Sequence, residues 1–192
     1  MRIIFATGNA GKMREIREIM ADMDMEICSM KEAGISLDIE ENGTTFEENA
    51  QIKAKAVAAC TKDIVLADDS GLEVDYLNKE PGVYSARYAG EPCNDRKNLE
   101  LVLEKMEGIK DRTACFVCVL ALVTPSGELT ARGEVAGELT YAPQGEGGFG
   151  YDPIFYIPQY KCTFAQMTQE QKNQLSHRAI AARLLAGKCA RL

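Results

Sequence analysis

The segment Ile64–Gly71 constrains the possible folds of this chain more than any other part of the sequence. Its first half is a short run of branched apolar residues, which is typical of a buried β-strand. The run ends in Asp68, Asp69 and Ser70, and ligands of open α/β sheets bind at the carboxyl ends of strands. Adjacent carboxylates repel each other unless a proton, water or a cation separates them, and hard oxygen ligands suit Mg²⁺ or Mn²⁺. Taken alone, the segment is also compatible with an acidic turn after a strand.

Length and charge exclude several classes of protein. A chain of 192 residues forms one ordinary domain, or two lobes sharing one core, and 46% apolar with 27% charged residues indicates a globular protein. The net charge of -7 argues against a nucleic-acid polymer or an anionic membrane as the main partner. A local basic cluster could still bind a small anion.

Targeting signals and cysteines point to the cytoplasm. No apolar run approaches the roughly 18 residues of a membrane span, and the first residues lead into a strand without a signal peptide. Seven cysteines without framework spacing fit reduced thiols. Cys115 and Cys118 lie three apart in an apolar strand and so face opposite sides, which argues against a metal or redox role for the pair. The single histidine, His177, argues against a histidine-based zinc site.

The amino-terminal segment has the order strand, glycine-bearing loop, helix. Arg2–Ala6 is predicted as the strand, Thr7–Lys12 as the loop and Met13–Met23 as the helix. Such a loop offers backbone N–H groups and a positive helix end to a phosphate, and Lys12 adds a charge. It is not a Walker A motif, because that motif has a glycine where this chain has Ala6 and a hydroxyl residue where it has Met13. A plain strand-to-helix turn remains the alternative.

A second helix places acidic and basic groups near each other in sequence. Thr45 and Glu48 fit a capping box, and the predicted helix runs to about Cys60. Lys53 shares its polar face with Asn49, four residues earlier. Glu41 precedes this helix and could be a metal ligand only if it meets Asp69 in space. Otherwise it belongs to a solvated loop.

The carboxyl-terminal half combines a hairpin with a glycine-rich loop. Predicted strands 113–123 and 128–139 flank a turn, so the sheet is expected to be mixed. The glycine-rich loop 144–153 carries two aromatics and Asp152, which suggests a base-stacking surface beside a backbone clamp, or a loop whose aromatics pack. Two helix starts follow, one capped by Thr168 and one by Ser176, and they bring in three further polar side chains: Lys172, His177 and Arg178.

Together these features match the contacts that a nucleoside triphosphate needs, and the sequence resembles the inosine triphosphate pyrophosphatases. That family hydrolyses non-standard purine nucleoside triphosphates such as ITP, dITP and XTP to the monophosphate and pyrophosphate, which cleanses the nucleotide pool. The matching pieces run in family order along essentially the whole chain: Thr7–Asn9 with Lys12, Glu41 with 46–53, 67–72, Pro81–Gly82 with 84–88, Phe149–Pro153 and Ser176–Arg178.

The resemblance implies a fold, a cofactor and an assembly. It implies an elongated, two-lobed α/β fold with a long mixed β-sheet flanked by helices and a cleft between the lobes. Residues 1–192 would form this single domain. Activity would depend on Mg²⁺, with Mn²⁺ as a possible substitute, and the enzyme would be a homodimer.

The resemblance also implies roles for individual residues. Asp69 would be the catalytic carboxylate and would surround the metal with Glu41 and Asp68. Asp68 and Ser70 would support the phosphate end, and Phe149 would stack on the base. The remaining substrate-binding residues would be Thr7, Gly8, Asn9, Ala10, Gly11, Lys12, Lys53, Arg87, Gly150, Tyr151, Asp152, Lys172, His177 and Arg178.

Two other functions stay open at the level of sequence. A phosphotransferase using the Lys12 loop as a variant P-loop would release or transfer phosphate and never pyrophosphate. A nucleotide sensor without turnover is the second, although paired aspartates beside a triphosphate favour a metal-dependent reaction.

Overall fold

The computed structural model describes residues 2–23 and 25–190, which form one mixed sheet and five α-helices. The strands are β1 (Arg2–Ala6), β2 (Glu26–Ser29), β3 (Ile64–Val74), β4 (Thr113–Thr124), β5 (Gly127–Leu139), β6 (Phe155–Ile157) and β7 (Cys162–Thr163). The α-helices are α1 (Ala10–Ile19), α2 (Phe46–Ala58), α3 (Asp95–Lys105), α4 (Gln169–Leu175) and α5 (His177–Cys189). Short 3₁₀ helices occupy Asp75–Leu77, Gly82–Arg87, Asp152–Ile154 and Phe164–Gln166.

The sheet mixes parallel and antiparallel pairs, as the sequence predicted. Its strand order is β2-β1-β3-β4-β5-β6-β7. Strand β1 runs parallel to both β2 and β3, with Ile3 opposite Ile27 on one side and Ile64 on the other. Strands β5, β6 and β7 pair antiparallel. None of the described helices combines the length and apolar character of a membrane span.

The chain divides into two compact units. The first unit comprises the chain up to Asp69, Cys118–Gly133 and the segment from His177 on; the second comprises Ser70–Val117 and Glu134–Ser176. The core of the first unit includes Ile3, Phe5, Ile16, Leu66 and Leu120. The core of the second includes Leu72, Val102, Phe116, Phe155 and Phe164. An elongated single domain with a cleft between two lobes stays a prediction.

Strand β3 differs from its sequence interpretation. The strand does not stop at Asp68 but continues through the two aspartates, Ser70 and Gly71 as far as Val74. Asp68 is buried inside the strand, which is possible because basic side chains neutralise its charge. At Gly71 a Cβ would lie 2.3 Å from the Ser85 hydroxyl, so the strand passes this point only as glycine.

Helix boundaries follow local signals where caps exist. The capping box of Thr45 with Glu48 is present, and α2 ends at Ala58 rather than near Cys60. Helix α1 starts at Ala10 and ends at Ile19, so it begins earlier and ends earlier than the predicted Met13–Met23. Asn9 explains the earlier start, because its side chain caps the helix by accepting the N–H of Lys12.

A close approach between β5 and α5 fixes the start of α5. A Cβ at Gly133 would lie 2.2 Å from the His177 carbonyl oxygen and 2.5 Å from the Ala181 nitrogen. Both atoms belong to backbone, which cannot rotate away as a flexible side chain does. Glycine at this position therefore lets α5 pack on the strand and places the residues at its first turn.

We expect Gly133→Ala to lower the free energy of unfolding by roughly 1–3 kcal/mol, because the added methyl forces α5 away from β5. The matched control is Gly187→Ala in α5, where nothing lies within 4 Å of the added Cβ. That change should raise stability by roughly 0.5–1 kcal/mol, since glycine is the poorer helix former. Urea denaturation measures both, and equal stability of Gly133→Ala and the wild type would contradict the close approach.

Candidate active site

The loop between β1 and α1 forms the predicted strand–loop–helix arrangement. The Asn9 N–H donates to Thr7 Oγ1 at 3.1 Å, and Asn9 Oδ1 accepts the Lys12 N–H at 3.0 Å. These bonds define the turn, while Gly8, Asn9 and Ala10 stay exposed and Gly11 is half-buried. Exposed backbone at a helix start suits an anion such as a phosphate.

A buried carboxylate in β3 joins that helix start to the rest of the first unit. Lys12 Nζ lies 2.5 Å from Asp68 Oδ1, and Arg178 Nε donates to Asp68 Oδ2 at 2.8 Å. The Cys118 thiol, from β4, donates to the same Oδ2 at 3.1 Å. Burial disfavours the charge of Asp68, but Arg178 and Lys12 outweigh it and hold the pKa of this carboxyl well below its usual range.

Arg178 lies in the first turn of α5, as predicted, and its side chain is buried. It is 1% exposed, and besides Asp68 its guanidinium binds Glu15, a carboxylate in α1 that is itself fully buried. These contacts give Arg178 a structural task, to hold Asp68 in place. Its predicted role in substrate binding stays a prediction, and His177 is buried beside it at the start of α5.

A second cluster in the first unit brings together three of the predicted residues. Lys53 Nζ lies 2.8 Å from Glu41 Oε2 and 2.8 Å from Asp69 Oδ1. Burial raises the pKa of Asp69 to about 6; Lys53 and Lys12 oppose the shift, and Glu41 adds to it. Burial would lower the pKa of Lys53, but Asp69 and Glu41 outweigh it and raise that pKa. Glu41 and Asp69 therefore meet in space, as a shared metal site requires.

Asp68 and Asp69 point into different surroundings. Neighbouring residues of a strand face opposite sides, so Asp68 meets α1 and α5 while Asp69 meets Lys53 of α2. Among the described residues, no three His, Cys, Asp or Glu side chains converge closely enough to hold a metal ion. Asp68 is paired with Lys12 and Arg178 on its own side of the strand, and its predicted part in the three-carboxylate set stays a prediction.

The glycine-rich loop forms a cluster within the second unit. Lys172 Nζ lies 2.5 Å from Asp152 Oδ2 and 4.9 Å from the centre of the Phe149 ring. Asp152 Oδ2 also accepts the Phe149 N–H at 3.0 Å. Gly148 has a φ of +70°, and a Cβ there would lie 1.9 Å from Asp152 Oδ2, so the loop closes on the carboxylate only as glycine. The loop holds Phe149, Asp152 and Lys172 together.

Four other predicted residues lie elsewhere in the second unit. Tyr151 is buried and its hydroxyl donates to the Ser85 carbonyl at 2.6 Å, and its predicted substrate contact stays a prediction. Arg87 ends a 3₁₀ helix with its guanidinium 5.4 Å from the Tyr84 ring centre. Ser70 is half-buried in β3, and Gly150 donates its N–H to Asp95 at 2.8 Å.

Sequence reasoning missed two members of the Asp68 network. Glu15 carried no signal, because a carboxylate in an amphipathic helix is normally assigned to the solvent face. Cys118 lies in an apolar strand, where a thiol is interpreted as a small apolar residue. Its pKa is raised by burial and by Asp68, so the thiol stays protonated and donates.

Comparison with known proteins decides the family. The Ham1 family profile matches residues 3–188. The chain belongs to the Ham1 family. The resemblance found in the sequence is confirmed, since relatives of this chain are named dITP/XTP pyrophosphatase.

Relatives and solved structures match over nearly the full length. A dITP/XTP pyrophosphatase of Clostridium perfringens is 50% identical over 189 residues, covering 94% of this chain and 93% of its own. One from Bacillus subtilis is 48% identical over 186 residues, covering 95% and 94%. The Staphylococcus aureus Ham1 protein superposes with a TM-score of 0.88 at 44% identity, covering 99% and 98%. A HAM1 protein from Coxiella burnetii gives 0.88 at 40% identity, covering both chains completely.

We expect Asp68→Asn to lower the free energy of unfolding by about 3–5 kcal/mol, because the buried Arg178 and the half-buried Lys12 both lose the negative charge of Asp68. The folded pKa of Asp68 is depressed, so its stabilisation is present above the unfolded pKa of about 3.9 and is lost only as the pH falls through the lower folded pKa. The loss of stability in Asp68→Asn should therefore be constant between about pH 5 and pH 8.

The control for that measurement is Glu47→Gln, which removes an exposed ion pair with Arg132 of the same unit. It should cost less than about 1 kcal/mol. Denaturation curves at several pH values test both variants. An Asp68→Asn deficit as small as that of Glu47→Gln would contradict the described network.

Proposed function

We propose that this protein hydrolyses non-standard purine nucleoside triphosphates, such as dITP, XTP and ITP, to the monophosphate and pyrophosphate. The observation that carries the proposal is the near full-length similarity to proteins named dITP/XTP pyrophosphatase. The side-chain clusters fit such a substrate, because cations and exposed backbone N–H groups suit a triphosphate and an aromatic ring suits a purine.

The reaction needs a base that activates water for attack on the α-phosphorus. Asp69 suits this task, because burial raises its pKa to about 6, so it is ionised at neutral pH and can still accept a proton. Attack breaks the bond between the α-phosphorus and its bridging oxygen, and pyrophosphate leaves. Lys12 and Lys53 would stabilise the charge on the phosphates.

The residues around Asp69 fit a divalent cation. Lys53 places a positive charge against both Glu41 and Asp69, and these two carboxylates would hold a divalent cation. Asp69 Oδ2 is buried and has no hydrogen-bond partner among the described residues. Two carboxylates suit Mg²⁺ or Mn²⁺, so we propose that Glu41 and Asp69 hold the metal. When bound, the metal would neutralise charge on the phosphates.

By resemblance to the family, the cluster of Phe149, Asp152 and Lys172 in the second unit would bind the base. Phe149 offers a ring for stacking, and Asp152 and Lys172 are held beside it by the loop. We propose that hydrogen-bond donors in the site distinguish the 6-oxo group of hypoxanthine and xanthine from the 6-amino group of adenine. By resemblance to the family, the enzyme would be a homodimer, and cysteines free of disulfides fit a cytoplasmic location.

The substrate assignment is tested with a panel of nucleoside triphosphates and Mg²⁺, with pyrophosphate and phosphate assayed separately. We expect dITP, XTP and ITP to release pyrophosphate at least about a hundredfold more efficiently than ATP and GTP, because a buried mismatch at the base is costly. Release of phosphate alone would favour a phosphotransferase or phosphatase, and GTP cleaved as fast as dITP would contradict the substrate class.

We expect Lys53→Met to affect the two ligands in opposite directions. The affinity for Mn²⁺ in the absence of nucleotide should rise several-fold, up to about tenfold, because no ammonium group competes for Glu41 and Asp69. Triphosphate binding should weaken, because a cation is lost. Calorimetry measures both affinities.

Lys55→Met is the matched control, since Lys55 lies on the same helix but pairs with Glu128 at the surface. It should leave both affinities unchanged. A loss of Mn²⁺ affinity in Lys53→Met would show that Lys53 supports the carboxylates rather than occupying the place of a metal.

A further inference from the structure

One buried side chain in the first unit has a hydrogen-bonding group that the described chain does not use. Asn49 is 1% exposed in α2, and its Oδ1 accepts the Gly43 N–H at 2.8 Å. Its Nδ2 is buried and has no hydrogen-bond partner among residues 2–23 and 25–190. A buried donor without an acceptor costs free energy, so its presence calls for an explanation.

The orientation of the Asn49 amide is determined by its neighbour. A backbone N–H can only donate, so the atom that faces Gly43 must be the oxygen, and the NH₂ group must point elsewhere. Gly43 also comes very close, since a Cβ there would lie 2.6 Å from Asn49 Oδ1. The hydrogen bond from Gly43 therefore holds the loop that carries Glu41 against α2 and fixes the orientation of the Asn49 amide.

A second asparagine shows what a purely structural amide looks like in this protein. Asn98 lies four residues after the N-cap Asn94 of α3, just as Asn49 lies four residues after the N-cap Thr45 of α2. Asn98 is equally buried, and its Oδ1 likewise accepts a loop N–H, that of Ala89. Its Nδ2, however, donates to the Ala86 carbonyl at 2.9 Å. At the same helix position, both amide groups of Asn98 are hydrogen-bonded, whereas in Asn49 only the oxygen is.

The surroundings of Asn49 indicate which ligand would supply the acceptor. Lys53 lies one turn later on the same face of α2 and binds Glu41 and Asp69. Asp69 Oδ2 is, like Asn49 Nδ2, buried and unpaired within the described chain. A phosphate group that draws Lys53 away from its carboxylates would bring oxygen acceptors to this face.

We propose that Asn49 is a further substrate-binding residue, whose Nδ2 donates to a phosphate oxygen of the triphosphate. The proposal rests on the proposed function, because it requires a phosphorylated ligand at the Lys53 cluster. The Gly43 contact orients the amide, and the bound phosphate completes its hydrogen bonds. The amide thus adds a neutral donor next to the cation of Lys53.

The test measures binding of α,β-methylene-dITP, whose P–C–P link resists cleavage, with Mg²⁺ by calorimetry. Asn49→Asp keeps an acceptor for the Gly43 N–H but removes the donor, and Asn49→Leu removes the donor without adding charge. Asn49→Thr replaces the leucine variant should that one fail to fold. We expect both the charged and the neutral variant to lose about tenfold or more in affinity. Asn49→Asp should also retain most of its thermal stability.

Matched changes at Asn98 provide the control. Asn98→Asp and Asn98→Leu should lower thermal stability, because the bond to Ala86 is lost, and should leave affinity for the analogue within about twofold of the wild type. A similar loss of affinity in the Asn98 variants would overturn the proposal, since general destabilisation would then explain both positions.

The remaining outcomes are equally decisive. Wild-type affinity in both Asn49 variants would mean that the amide serves the fold or binds an ordered water only. Weakening in Asn49→Asp alone would indicate repulsion by an added charge, and it too would overturn the contact. If the wild type releases pyrophosphate from dITP while Asn49 variants bind normally, only this proposal fails. If the wild type does not bind the analogue, the proposed function fails with it.

Discussion

The buried charge of Asp68 is the constraint on which the first unit depends. A carboxylate inside a strand is tolerated only when cations and donors replace its lost hydration. Here Lys12 comes from α1, Arg178 from α5 and Cys118 from β4, so one side chain in β3 ties three other elements to itself. Glu15 also binds the guanidinium of Arg178 and so adds a second negative charge beside it. The helix start that offers its N–H groups to an anion is thereby anchored to the sheet.

Two adjacent aspartates receive opposite chemical characters from this arrangement. Asp68 is held ionised, because the attraction of Arg178 and Lys12 exceeds the cost of burial. Asp69 is raised to a pKa of about 6, because burial together with Glu41 exceeds the attraction of Lys53 and Lys12. The alternation of a strand is sufficient to separate them. One carboxylate therefore serves the fold, while its neighbour retains a pKa suited to accept a proton.

Local signals in the sequence predicted more of this structure than tertiary contacts did. The capping boxes at Thr45 and Thr168 and the hairpin around residues 124–127 depend on residues close in sequence, and the structure contains them. The partnership of Arg178 with Asp68 spans 110 positions, and no periodicity encodes it. The continuation of β3 through its aspartates was missed for the same reason, since the neutralising groups lie in other elements.

The charges of the first unit connect its two clusters to the proposed cofactor. The described ion pairs join three basic side chains, Lys12, Lys53 and Arg178, to four carboxylates, Glu15, Glu41, Asp68 and Asp69. The carboxylates of the protein therefore already neutralise these basic groups, and a triphosphate would have to compete with the carboxylates for Lys12 and Lys53. An additional positive charge would favour a polyanion in such an environment, and the proposed divalent cation held by Glu41 and Asp69 would provide it. Metal and triphosphate should accordingly strengthen each other's binding, because each removes the electrostatic penalty of the other.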